Sequence, residues 1–286
     1  MRERASRWLS LFPLHLVLIL AAMLWLTPSV GLLISSVRPY EAVIRTGWWT
    51  VLAHPFDLSQ YTLQNYEEIL LAQGMAQAFR NSLLITIPST VIPIGIAAFA
   101  AYAFAWMEFP GRQVIFAIVV GLLVVPLQMT LIPLLRVYNR LGLAGSYVGI
   151  WLAHTGYGLP FAVYLLRNFF GALPRDLFES AYLDGASELT AFFRLALPLS
   201  VPALASLAIF QFLWVWNDLL VALIYLGGTE EVAPLTLKLS SLINSLGQNW
   251  HLLTAAAFIS MALPLIVFFS LQRYFVRGIL AGSIKG

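Results

Sequence analysis

Six long apolar runs constrain the fold of this chain more than any motif in it. They lie near residues 12–35, 82–105, 114–135, 147–167, 202–226 and 253–273. At about 1.5 Å per residue, each is long enough to cross about 30 Å of hydrocarbon as a helix. Between Arg80 and Arg167 the only charges are Glu108, Arg112, Arg136 and Arg140, and each falls in a gap between runs. Hydrocarbon offers no water to backbone N–H and C=O groups, so spanning segments of this kind bond internally as helices. The expected fold is all-α and polytopic, with six transmembrane helices in a single transmembrane domain over residues 1–286.

Composition supports that class and excludes others. The chain is 10% charged and 60% hydrophobic, against about 25% charged in soluble globular domains. That excludes a soluble enzyme, a secreted domain and a disordered chain. Without cysteine there is no disulfide framework, thiolate metal site or thiol nucleophile. The net charge of +3 includes only two lysines, Lys238 and Lys285, and the arginines form no basic stripe. Nucleic acid is excluded as a partner, because phosphate recognition needs clustered cations.

A positive-inside bias explains the excess better. With the N-terminus in the cytoplasm, ten basic residues lie inside: Arg2, Arg4, Arg7, Arg112, Arg167, Arg175, Arg194, Arg273, Arg277 and Lys285. Six lie outside: Arg38, Arg45, Arg80, Arg136, Arg140 and Lys238. Six spans return the C-terminus to the cytoplasm. The first run has the basic start of a secretory signal, but it extends from about Leu11 to Ile34, beyond the length of a signal's apolar region. It is read as an uncleaved span. Pro88, Pro93, Pro126, Pro133, Pro160 and Pro264 fall inside runs. Neighbouring helices must satisfy the backbone groups they free, and they predict kinked helices around a cavity.

Two connecting segments are long. The outer one, 37–80, carries Trp48, Trp49, Tyr61 and Tyr66 with Glu67 and Glu68. These aromatics are placed either to anchor at the membrane interface or to touch a soluble partner. The spacing from Tyr66 to Phe79 predicts a short surface helix. The cytoplasmic loop, 168–201, predicts a helix–turn–helix. Pro174 ends the preceding helix, Asp176 is expected at the N-cap, and Glu179 sits three residues later as in a capping box. Gly185 suits a left-handed cap, and a second helix is expected from Ala186 to Leu195, stopping before Pro198. Phe178, Tyr182, Leu183, Phe192 and Phe193 are the expected apolar contacts.

In this loop the sequence resembles the permease subunits of bacterial ABC importers. Their signature is E-A-A, three residues, G, nine residues, I, one residue, L-P. Glu179-Ser180-Ala181, Gly185, Leu195 and Leu197-Pro198 reproduce that spacing throughout, with serine for the first alanine and leucine for isoleucine. Leu159-Pro160-Phe161, Arg167-Asn168-Phe169-Phe170, Leu173-Pro174, Asn81-Ser82-Leu83 and Trp216-Asn217-Asp218 resemble the carbohydrate, maltose-type branch. Gly47-Trp48-Trp49, the stretch from Ala98 to Trp106 and Phe109-Pro110-Gly111-Arg112 are most similar to α-glucoside permeases.

The resemblance implies an importer permease in the bacterial inner membrane whose loop docks on a separate ATPase. Glu179, Ser180, Ala181, Tyr182, Asp184, Gly185 and Ala186 would form the docking surface, with Glu179 meeting a basic residue and Gly185 permitting the bend. It implies a second homologous permease, two ATP-binding cassette subunits, an extracytoplasmic solute-binding protein and a sugar substrate. ATP and Mg2+ would be bound by the partner subunits and no cofactor by this chain, which has no G-x-x-x-x-G-K-[ST]. Maltose, trehalose, sucrose and glycosylated osmolytes all remain open as substrates.

The substrate path is less determined. Asp218 is the one carboxylate well inside a run, and it sits with Trp214, Trp216 and Asn217, seven residues after Gln211. Aromatic faces with amide and carboxylate groups suit a sugar, but the same cluster suits a polar knot that locks helices together. Gln128 is a further pathway candidate. His154 and Tyr157 are secondary ones, with packing favoured for His154. Two rival classes stand beside the importer. A secondary transporter usually shows broken helices in paired halves and several buried charges. A membrane-embedded enzyme needs a motif such as H-E-x-x-H or G-x-S-x-G, and neither occurs.

Overall fold

A computed structural model describes residues 2–242 and 249–283, with side chains over 11–242 and 249–272. The basic residues Arg2, Arg4, Arg7, Arg273, Arg277 and Lys285, used above for orientation, have side chains outside the described residues. Every regular element among the described residues is helical. The chain divides into two compact units, residues up to Ala76 with Leu239–Met261, and Gln77–Lys238 with the residues from Ala262 onward.

In the first unit, α1 (Arg2–Ser36) contains the apolar stretch Leu11–Ser36. Its side chains are exposed from Leu11 to Pro28, Trp25 at 83%. A helix that is apolar all round requires an apolar environment all round. After it come α2 (Tyr40–Arg45) and a 3-10 turn (Trp48–Ala53). Then α3 (Gln64–Glu67) runs into a π turn (Glu68–Ala72), so the helix expected from Tyr66 to Phe79 starts earlier and breaks at Gln73–Gly74, and Met75–Phe79 belong to the long helix that follows. Buried Arg38 knots this segment, donating to the Gly47 carbonyl (2.9 Å), Thr46 Oγ1 (2.8 Å) and Thr50 Oγ1 (3.1 Å). Asn65 Nδ2 donates to the carbonyls of Ser36 and Arg38. Trp48 packs against α1 at Gly31, where a Cβ would lie 2.7 Å from its Nε1.

The second unit is organised around α4 (Met75–Trp106), an apolar helix of 32 residues. Then follow α5 (Arg112–Gly121), α6 (Leu127–Leu141), α7 (Tyr147–Gly171), α8 (Arg175–Leu183) and α9 (Glu188–Ala191). The chain continues as α10 (Leu197–Leu199), α11 (Val201–Trp216), α12 (Leu220–Leu226) and α13 (Leu235–Leu242), and ends in α14 (Trp250–Ser283). A proline at position i has no N–H for the carbonyl at i−4, so Pro88 and Pro93 free the carbonyls of Leu84 and Ser89. Both are taken up by neighbours. Trp151 Nε1 of α7 donates to Leu84 O (2.8 Å) and Gln211 Nε2 of α11 donates to Ser89 O (3.1 Å). Gly158 makes room for that amide, since a Cβ there would lie 2.6 Å from Gln211 Nε2.

Two of the expected runs are not single straight helices. The third breaks after a 3-10 turn (Leu122–Val124), where α5 and α6 meet at 101°. Pro126 disfavours helical backbone at Val125, which is extended. The fifth stops at Trp216 and resumes as α12 after Asn217–Leu219, and a 73° bend at Ser200 precedes α11. By length and composition three helices among the described residues are able to cross a membrane, or up to five if each bent pair is one span. α7 is 25 residues long, but His154, Thr155 and Tyr157 dilute its apolar character.

The bundle has a core at each end. At one, Ala97, Ala98, Ala101 and Tyr102 of α4 meet Ala162, Leu166 and Phe170 of α7 and Phe178 and Phe192 of the loop. Small residues there let helices approach closely, as association in lipid requires. At the other, Ile85, Ile150, Val215 and Tyr225 pack with residues of α6. Removing the Gln211 amide leaves a buried carbonyl unpaired, at a cost of about 1–3 kcal/mol. Gln211→Leu and Gly158→Ala should each lower the unfolding midpoint of the purified protein, and the double variant should fall short of their sum, because both act on one hydrogen bond. Full additivity would contradict the assignment.

Candidate functional site

Loop 168–201 is a helix–turn–helix whose details differ from expectation in two places. Its first helix, α8, is capped by Pro174 with no side-chain cap bond, so Asp176 lies in the first turn and the capping box with Glu179 does not form. Proline is favoured at helix starts because it has no N–H to leave unpaired. The second helix starts at Glu188, with Ser187 Oγ accepting the Thr190 N–H, and continues through a π turn (Phe192–Ala196) past Pro198 to Leu199. Proline does not stop it, since Pro198 occupies the first turn after the π segment, where its missing N–H is tolerated.

The turn between the helices is as expected and now has a mechanism. Gly185 has φ +84°. Its N–H donates to Tyr182 O (3.0 Å), while Ala186 N–H donates to Ala181 O (2.9 Å). This is the Schellman pattern, which satisfies the last carbonyls of α8 and reverses the chain. A side chain at φ near +84° costs roughly 1–2 kcal/mol, even though a Cβ at Gly185 would meet nothing within 4 Å.

The expected docking residues separate into two sets. Ala181, Asp184, Gly185 and Ala186 line a hollow of about 460 Å³ with Arg194 and Leu195. Glu179 and Ser180 are exposed on α8, and no partner within the described residues engages the Glu179 carboxylate. Tyr182 turns the other way. Its phenol donates to Glu188 Oε2 (2.8 Å) and lies 3.1 Å from the Tyr102 phenol. Burial, reinforced by the Glu188 carboxylate, holds the Tyr182 phenol above its usual range, so it remains protonated and able to donate. Of the expected apolar contacts, Phe178 and Phe192 are fully buried, whereas Leu183 is 89% exposed and Phe193 55%. Phe178 stacks on Trp106 at 3.9 Å and Phe192 on Phe99 at 4.6 Å.

The second cluster is built as a helix lock. Gln211 is buried and bonded to Ser89 O. Asp218 accepts from the N–H groups of Val221 (3.2 Å) and Ala222 (2.9 Å), capping α12, and its own carbonyl accepts from Thr236 Oγ1 (2.6 Å). His154 Nε2 is 3.8 Å from Asp218 Oδ2, too far for a hydrogen bond. Asn217 is exposed and bonds back to Leu213 O. Trp216 is buried between Phe79 and Phe212.

Trp214 alone of this group lines a cavity of about 830 Å³, together with Val125, Met129, Thr130, Tyr157 and Phe161. The Tyr157 phenol joins Thr130 Oγ1 (2.9 Å) to the Tyr225 phenol (2.8 Å) there. Gln128 is exposed and does not line it. Among the described residues no cluster of His, Asp and Glu is placed to hold a metal ion.

Sequence reasoning missed Tyr102, Trp106 and Glu188 at the loop, and Asn81 at the far end of α4. Asn81 is fully buried and donates to the carbonyls of Glu231 and Ala233 while accepting from Gln77 and Tyr147. The Asn81-Ser82-Leu83 sequence was the one signal for it.

Residues 92–281 match the family described as binding-protein-dependent transport system inner membrane component. An osmoprotective compounds uptake permease protein of Synechocystis sp. is 62% identical over 99% of this chain and 95% of its own length. An alpha-glucoside transport system permease protein of Rhizobium meliloti is 62% identical over 79% of this chain and 61% of its own. A solved bacterial ABC transporter involved in import of the acidic polysaccharide alginate has a chain of the same fold, with TM-score 0.78, 21% identity and coverage of 95% of this chain and 98% of that one.

The capping geometry carries its own prediction. Asparagine caps as well as aspartate, and loss of a cap costs about 0.5–2 kcal/mol. Asp218→Asn should keep near wild-type stability and solute uptake, while Asp218→Ala should lower the melting temperature. A stable Asp218→Asn protein that no longer transports would place the carboxylate on the solute path instead.

Proposed function

The chain belongs to the family of binding-protein-dependent transport system inner membrane components, and on that premise we propose that it is the permease subunit of an ATP-driven importer of α-glucosides or glycosylated osmolytes. It is a transport subunit rather than an enzyme, and a solute-binding protein works with it. Two separate ATP-binding cassette subunits hold ATP and Mg2+, and a second permease chain completes the pathway. The bundle forms a single transmembrane domain of six spans, with loop 168–201 on the cytoplasmic face and alternating inward- and outward-facing states.

One observation carries this reading. The loop presents an exposed carboxylate, Glu179, and a hollow framed by the Gly185 turn, while Phe178 and Phe192 are buried in its own bundle. A surface with exposed charges at Glu179, Asp184 and Arg194 around a concave floor suits a protein partner, because charge fixes register and the hollow takes a side chain. The relatives named for osmoprotective compounds and alpha-glucosides support the solute class. On the solute side, the cavity beside Trp214 and Tyr157 has the aromatic wall that holds a sugar face. Gln128, exposed near its rim, is left as a polar contact toward the partner permease. Gln211 and Asp218 act on the path through the helices they lock, whereas Asn217 bonds only within its own helix.

Glu179→Lys reverses the docking charge. Gly185→Pro removes both the positive φ and the N–H that closes the turn. Both should abolish uptake of radiolabelled α-glucosides from a panel of maltose, trehalose and sucrose, at unchanged membrane levels and with the ATPase subunits no longer co-purifying. Wild-type transport by both variants would sink the docking assignment.

A further inference from the structure

Tyr102 and Trp106 stand four residues apart at one end of α4 and therefore share a face. Each holds a different arm of loop 168–201. Trp106 stacks on Phe178 of α8 at 3.9 Å and donates through Nε1 to the Phe170 carbonyl at the end of α7 (3.1 Å). Tyr102 donates to Glu188 Oε2 at the first residue of α9 (2.8 Å), and Tyr182 of α8 donates to the same oxygen (2.8 Å). One carboxylate oxygen thus accepts two phenol O–H groups, both charge-assisted. The bond from Tyr182 closes the loop across the Gly185 turn. The bond from Tyr102 fastens the closed loop to α4.

The remainder of α4 is fastened as firmly. Asn81 and Ser82 hold its far end to the 231–235 segment, Ser82 Oγ accepting the Leu235 N–H at 2.8 Å. Leu84 O and Ser89 O hold its middle to α7 and α11. The Glu188–Tyr102 bond is thus the hydrogen bond from α9 to α4, beside the packing of Phe192 on Phe99 and Tyr102, and α4 has further bonds along its length.

We propose that Glu188 is a positioning residue for transport, which by its bond from Tyr102 makes the second arm of the loop and helix α4 move as one body. This rests on the reading that the loop seats on a separate ATPase, and it goes beyond docking by naming the joint that carries the motion inward. The two phenols have unequal parts in it. Loss of the Tyr102 hydroxyl removes the hydrogen bond to α4 and leaves the packing of Phe192, whereas loss of the Tyr182 hydroxyl leaves that bond intact.

The chain has no cysteine, so spin labels at Leu189→Cys on α9 and Val91→Cys on α4, both exposed positions, report one distance. It is measured by pulsed electron spin resonance in the assembled transporter, nucleotide-free and vanadate-trapped with Mg-ATP. The expected result is an unchanged distance on trapping in the labelled protein and in Tyr182→Phe. In Tyr102→Phe and Glu188→Ala it should shift beyond the width of the nucleotide-free distribution, with the ATPase subunits still co-purifying. A purely structural role would affect the two phenylalanine variants alike. Equal behaviour of Tyr102→Phe and Tyr182→Phe, or a shift already present without either, overturns the proposal. An unsubstituted chain that fails to retain the ATPase subunits overturns the docking reading and the joint with it.

Discussion

Everything in the larger unit depends on how the carbonyls freed by two prolines in α4 are paired. Inside hydrocarbon an unpaired backbone group costs several kcal/mol, so Pro88 and Pro93 are tolerable only where other helices bring donors. Trp151 and Gln211 supply them at Leu84 O and Ser89 O. These two bonds fix where α7 and α11 cross α4, and Gly158 exists as glycine because the Gln211 amide occupies the space of its Cβ. With Asn81 and Ser82 at one end and Tyr102 and Trp106 at the other, α4 is bonded along its whole length to the elements around it.

That arrangement gives the loop two faces with different chemistry. Seven of the chain's 29 charges, Arg167, Arg175, Asp176, Glu179, Asp184, Glu188 and Arg194, fall between residues 167 and 194. Glu179 and Asp184 are left outward, where they are available to a partner. Glu188 is bonded to two phenols, and Phe178, Phe192 and Tyr102 are buried. The aromatic inner face makes the loop part of the bundle rather than a tether hanging from it.

Much of this was legible in the sequence because it is local. The spacing from Glu179 through Gly185 to Leu197-Pro198 places a left-handed turn between two helices, and the turn is found with φ +84° at Gly185. The prolines announce freed carbonyls, though not their partners, since Trp151 lies 67 residues from Leu84 and Gln211 lies 122 from Ser89. The expected capping box failed because Pro174 can start the helix two residues before Asp176. The prolines also announce a kink in the run from 114 to 135, though not its size, which is a 101° bend where Pro126 holds Val125 extended. For Gln211 and Asp218 both open readings were correct chemistry for a polar group in a bundle. Their bonds to Ser89 O and to the start of α12 are those of the helix lock. Tyr102 and Glu188 are 86 residues apart, and no periodicity or motif joins them.

The central claim is that transport through this chain is driven by ATP hydrolysed on other subunits. It is tested most directly in proteoliposomes holding the two permease chains with binding protein outside, using radiolabelled maltose, trehalose and sucrose as probes. The account predicts accumulation of at least one of them only when the ATPase subunits are co-reconstituted and Mg-ATP is available to them. Accumulation without the ATPase subunits, driven by a proton or sodium gradient, would contradict it.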